Sequence, residues 1–120
     1  MAKNFKLKPD QIKDLAKGWG ACIATDAITV HGLRVGYMYR EEPHNPKDSG
    51  WRFLAGNESD AYLADSKNLD VYFTNTIANY DPEIIPLLSA PEGSAFERGK
   101  DGKLRAVSPR PGSLAAINVR

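Results

Sequence analysis

Two runs of alternating residues, LRVGYMYRE and WRFLA, stand either side of a stretch that suits neither helix nor strand. In the first, Leu33, Val35, Tyr37 and Tyr39 alternate with Arg34, Gly36, Met38 and Arg40, the period of two that a pleated strand imposes. In the second, Trp51 and Phe53 share one face while Arg52 and Leu54 share the other. Between them EEPHNPKDSG, Glu41 to Gly50, holds two prolines, Asn45, Asp48 and Gly50, and reads as a loop. A loop of this length has no room for the crossover helix that a parallel pair requires, so the two strands pair antiparallel.

Other elements build on that pair. Lys8 to Lys17 predicts a short helix: Pro9 suits the first position, Ile12, Leu15 and Ala16 fall on one face, and Gly18 suits a left-handed exit. GACIAT, Gly20 to Thr25, predicts a short buried strand. Asn57 or Ser59 caps a helix near Ser59 to Ala64, with Glu58 and Asp60 at its positive end. LDVYF, Leu69 to Phe73, alternates as a strand, and Thr74 caps a helical turn through Ile77 and Ala78. Asp81-Pro82-Glu83 starts another helix, kept short by Pro86. SAFERGKDGKLRAV predicts a hairpin turning at Lys100-Asp101-Gly102, followed by the tail SPRPGSLAAINVR. No internal repeat is visible. The expected fold class is α+β: one domain over residues 1–120, with a mostly antiparallel sheet of four to six strands and two or three short helices. Its core spans about 20–98, and the C-terminal hairpin and tail take 99–120.

Bulk properties bound the function. At 120 residues and 42% hydrophobic, the chain fits one domain with one core. No apolar run approaches the roughly 18 residues of a membrane span. MAKNFKLKPDQ has lysines but lacks an apolar signal region, and Cys22 is the single cysteine, so the expected location is the reducing cytoplasm. The net charge of +1 argues against general nucleic-acid binding, but it is unevenly spread. Residues 41–83 carry three Lys or Arg against nine Asp or Glu, between two basic ends. An acidic middle can attract a basic partner.

Residues for known chemistry are sparse. His31, His44 and Cys22 show no paired metal-ligand spacing, so no metal or other cofactor is expected. Cys22 reads as a buried structural thiol, with no nucleophile elbow nearby in sequence. No glycine-rich phosphate loop is present. Glu41-Glu42, Glu58/Asp60 and Asp81/Glu83 are acid pairs, but capping and turn roles account for the last four. Trp51, Phe53, Tyr62, Tyr72, Phe73 and Tyr80 are expected in or beside the core. Asn75 and Asn79 at i, i+4 share one face; they either fasten loop backbone beside the sheet or present a recognition surface.

A likeness sharpens this reading. GYMYREEP at Gly36 to Pro43, DSGWRF at Asp48 to Phe53, NTIANYDP at Asn75 to Pro82, PLL at Pro86 to Leu88 and GSAFER at Gly93 to Arg98 resemble the bacterial immunity protein 33 family. The likeness covers about Val35 to Arg98. It implies a small cytoplasmic protein, not an enzyme, that binds and neutralises a cognate protein toxin. It supplies no catalytic residues to carry across. The candidate partner-binding face is what remains exposed of Glu41, Glu42, Asp48, Asp60, Asp65 and Asp70, with Asn75 and Asn79 beside it. The competing reading is a small regulatory or ligand-binding module, which would need a concave pocket lined by the aromatics. An enzyme built on the acid pairs would need a strongly raised carboxyl pKa in a cleft.

Overall fold

The computed structural model describes residues 3–110. Its six strands are β1 (Ala21–Thr25), β2 (Tyr37–Arg40), β3 (Asp48–Leu54), β4 (Leu69–Phe73), β5 (Ala95–Arg98) and β6 (Leu104–Val107). They form one sheet in the spatial order β4-β1-β3-β2-β5-β6. The helices are α1 (Asp26–Thr29), α2 (Asp60–Ala64) and α3 (Thr74–Tyr80), with 3-10 turns at Pro9–Gln11, Ser66–Asn68 and Pro82–Leu87. The fold is α+β, with a mostly antiparallel sheet. Only three residues of the proline- and glycine-rich tail are described, and the remainder of that expectation lies outside the described residues.

The alternating pair behaves as its period demands. β2 and β3 run antiparallel, from Tyr37 opposite Leu54 to Arg40 opposite Trp51. Trp51 and Phe53 join Cys22, Ala24 and Met38 in a cluster covered by Ile28, Ile77, Ile84 and Leu88. Leu54 joins Ile23, Tyr37, Leu69 and Ala95 in a second cluster, where Leu63 of α2 packs. Both faces of the sheet are therefore apolar at their centre. The hairpin β5–β6 forms at one edge, with Ala95 opposite Val107 and Arg98 opposite Leu104.

Four local expectations change. The first strand shortens to Tyr37–Arg40, because the Val35 amide turns away to the Asp81 carboxylate at 3.0 Å. β3 starts three residues early, at Asp48, because polar residues that look like loop find partners inside the sheet. The Ser49 hydroxyl donates to the Ala21 carbonyl at 2.6 Å. Gly50 has φ +87°, and a Cβ there would lie 2.3 Å from the Glu41 carbonyl oxygen, so only glycine fits. Thr74 is the first residue of α3 rather than its cap, and its hydroxyl donates to Ser49 Oγ at 3.3 Å. Glu58 serves no helix end: its carboxylate accepts from Thr25 Oγ1 and from the amides of Ala55 and Gly56.

Two caps form as expected. Ser59 Oγ accepts from the Tyr62 amide at 3.1 Å, and the Asp81 carboxylate accepts from the Glu83 amide at 3.1 Å ahead of Pro82. Two features escape any local pattern: α1, and the parallel pairing of β1 with β3, which carries a register shift between Ala21 and Ile23.

Candidate functional site

Arg52 organises one end of the candidate face. It lies inside β3, where the side chain is fully buried. An isolated charge there would be prohibitive, so it must be paired. Its guanidinium takes the Asp48 carboxylate in two parallel hydrogen bonds, both 2.9 Å, and its Nε donates to Glu41 at 2.6 Å. Asp48 also accepts from the amides of His44 and Gly50. Burial pushes the Asp48 carboxyl up, but the Arg52 hydrogen bonds and the two amides outweigh it and hold the group below its ordinary range. Burial pulls Arg52 down, and the two carboxylates more than restore it. Asp48 is thus not a surface group, and Glu41 is half-buried against the same cation. The sequence carried one sign of this arrangement: Asp48 and Arg52 are four apart, which is the same face of a strand.

The remaining acids are exposed but fall into separate places. Glu42 lies just beyond Arg40, at the end of the sheet that holds Asp48. Asp60 opens α2, Asp65 caps the turn Ser66–Asn68, and Asp70 lies in β4. Register puts Asp70 opposite Ala24 and Asp48 opposite Ala21, at opposite ends of β1. Asp70 is 3.8 Å from the Lys3 ammonium and accepts from the Val71 amide at 2.8 Å.

Asn75 and Asn79, on α3, clasp the N-terminal segment. Asn75 Oδ1 accepts from the amides of Leu15 and Ala16 at 2.8 and 2.7 Å, and its Nδ2 donates to the Lys13 carbonyl at 2.8 Å. Asn79 Oδ1 accepts from the Lys13 amide at 2.9 Å, and its Nδ2 donates to the same carbonyl. The helix expected over Lys8 to Lys17 is therefore reduced to the turn Pro9–Gln11. The asparagines satisfy the backbone groups that helical bonds would have used, and Ala16 is fixed in the core while Leu15 stays exposed. Asn75→Ala should cost about 1–3 kcal/mol, from three hydrogen bonds at 0.5–1.5 each less relaxation. Trypsin cleavage after Lys13 and Lys17 should accelerate; an unchanged cleavage rate would mean that the clasp holds nothing.

Phe73 departs most from expectation. Placed in or beside the core by its sequence, it is 73% exposed at the end of β4. α3 begins at the next residue, so the chain turns away and leaves the ring uncovered. That boundary, an aromatic immediately before a helix start, is the only local sign of it. Hollows of about 300 and 310 Å³ open beside the ring, one reaching Trp19 and Pro46, the other Tyr72 and Thr76. Tyr72 and Tyr80 are half-buried and hydrogen-bonded through their hydroxyls to Thr29.

Other sequence candidates fall as follows. Cys22 is fully buried, and burial pushes its thiol up to about 12, so it carries no thiolate at neutral pH. His31 is exposed. Among the described residues, no group of three or more His, Cys, Asp or Glu is placed to hold a metal ion. No helix of the described residues is long and apolar enough to cross a membrane. A groove of about 450 Å³ lies between Gly36, Gly56, Arg34 and Arg98, and no aromatic side chain lines it.

A family model described as the immunity protein Imm33 domain matches residues 22–108. No curated protein and no solved structure matches the chain.

Proposed function

Because the chain belongs to the immunity protein Imm33 family, we propose that it acts by binding and masks a cognate bacterial toxin in the cytoplasm. The family match over residues 22–108 carries the reading, since it takes in all of β2 to β6 and nearly all of β1. Masking needs a surface and no reacting group, so the protein in this reading is not an enzyme and uses no cofactor. Of the acids singled out by the sequence, Glu41 and Asp48 are committed to Arg52. The exposed Glu42, Asp60, Asp65 and Asp70 are the ones proposed to face the partner. Toxins that attack nucleic acid must carry basic surface to approach phosphate, and exposed carboxylates would steer such a partner at long range.

The test is a tagged pull-down from the native cell, read by mass spectrometry at low and moderate salt. One stoichiometric partner, a toxin, is the expected result, with association slowing as salt is added. Lysine at Glu42, Asp60 and Asp65 together should slow association by roughly tenfold, with stability lowered by about 1 kcal/mol through the lost cap at Asp65. A wild-type chain that retains no partner would end this reading.

A further inference from the structure

We propose that the outer edge of β4, between Asp65 and Asp70 at one end and Phe73 at the other, is where the partner docks, adding an extended strand of its own to the sheet. This rests on the immunity reading and names its surface. β4 is outermost in the strand order, so one row of its backbone groups points away from β1. Two of those groups are closed by side chains rather than by a strand. The Val71 amide is taken by the carboxylate of Asp70, and the Leu69 carbonyl has the Lys3 ammonium 3.5 Å away. The Asp70 side chain is 56% exposed, so an incoming strand can displace it without opening the core. These two contacts blunt the edge in the free chain, as charged side chains do on many exposed edges.

The ends of the edge define the occupant. Asp65 and Asp70 are exposed beside its Leu69 end, and Asp60 stands at the start of α2 before them. Phe73 projects at the far end with a hollow on either side, as an aromatic anchor does before it enters a partner's pocket. The matching segment is extended, basic where it passes Asp65 and Asp70, and followed by an apolar recess for Phe73. Main-chain pairing would supply affinity, and the two ends would set register. A second copy fits less well. Two-fold pairing of β4 with itself about Val71 would put both Asp70 carboxylates on one face as diagonal neighbours, a like-charge contact.

The partner identified in the pull-down, purified on its own, is the probe, and its dissociation constant is measured by calorimetry. Phe73→Asp and Asp70→Lys should each weaken binding by roughly 30-fold or more. Val107→Asp, on the opposite edge strand β6, is a matched control and should stay within about threefold. Phe73 and Asp70 are exposed, so each variant should shift the melting temperature by no more than a few degrees, from the cap position ahead of Thr74 and from the lost Lys3 and Val71 contacts, and this is checked first. If the wild-type chain holds its toxin and both variants hold it equally well, the docking site is overturned while the immunity reading stands. A wild-type chain with no partner removes both. A wild-type dimer in sedimentation that Phe73→Asp dissociates would assign the edge to a second copy and overturn the proposal.

Discussion

Leucine in place of Arg52 is expected to destabilise the fold by about 3–5 kcal/mol, read by urea denaturation. The cost arises less from what the arginine contributes than from what its loss leaves behind. The Asp48 side chain has no solvent exposure, and Arg52 supplies its counter-charge in two hydrogen bonds. Without the guanidinium a carboxylate remains buried, held only by the amides of His44 and Gly50. Adding Asp48→Asn removes the stranded charge and keeps an acceptor for those amides, so the double variant should recover more than half of the loss. A single-variant cost below about 1 kcal/mol would show that the charge reaches water when Arg52 is gone.

The same pair predicts an acid limit. Asp48 is held below its unfolded value of 3.8. A group depressed on folding contributes stability that is complete above the unfolded value and is lost as pH falls through the folded one. Wild-type stability should therefore decline below about pH 4, and more steeply than that of Asp48→Asn. Equal acid slopes for the two proteins would remove Asp48 as the cause.

The second large effect is expected at Trp51. Alanine there should cost about 3–5 kcal/mol in thermal or denaturant unfolding. The indole is fully buried, stacked on Phe53 at 6.1 Å between centroids and tilted against Phe96 at 6.4 Å. Its Nε1–H donates to the Leu88 carbonyl at 3.1 Å, which ties β3 to the segment after the Pro82–Leu87 turn. The Arg40 guanidinium lies 5.7 Å from the same ring. Trp51→Phe keeps an aromatic packing partner and loses the donor and part of the volume, so it should cost clearly less. Equal costs for the two variants would assign the effect to the lost hydrogen bond rather than to the cavity.

Both predictions bear on function by subtraction. DSGWRF is one of the runs that resemble the family, yet Asp48, Trp51, Arg52 and Phe53 are all spent on the interior. In the proposed reading the partner meets Glu42, Asp60, Asp65, Asp70 and Phe73, none of which belongs to the core.

What the sequence determined by itself was whatever depends on neighbours a few residues apart. Period-two alternation placed β2, β3 and β4, prolines and small polar residues marked the caps at Ser59 and Asp81, and glycine with aspartate marked the hairpin turn. These signals are local because strand pleat and helix caps are local. The tertiary structure alone decided which long-range partner each polar group met. Asp48 looked like a surface acid until Arg52 was buried beside it, and Asn75 and Asn79 had two readings until the backbone of Lys13 to Ala16 lay against them. Phe73 shares its parity with Leu69 and Val71, but it stands where the sheet ends and α3 turns away. Burial depends on what arrives from distant parts of the chain, and alternation along one strand carries no record of it.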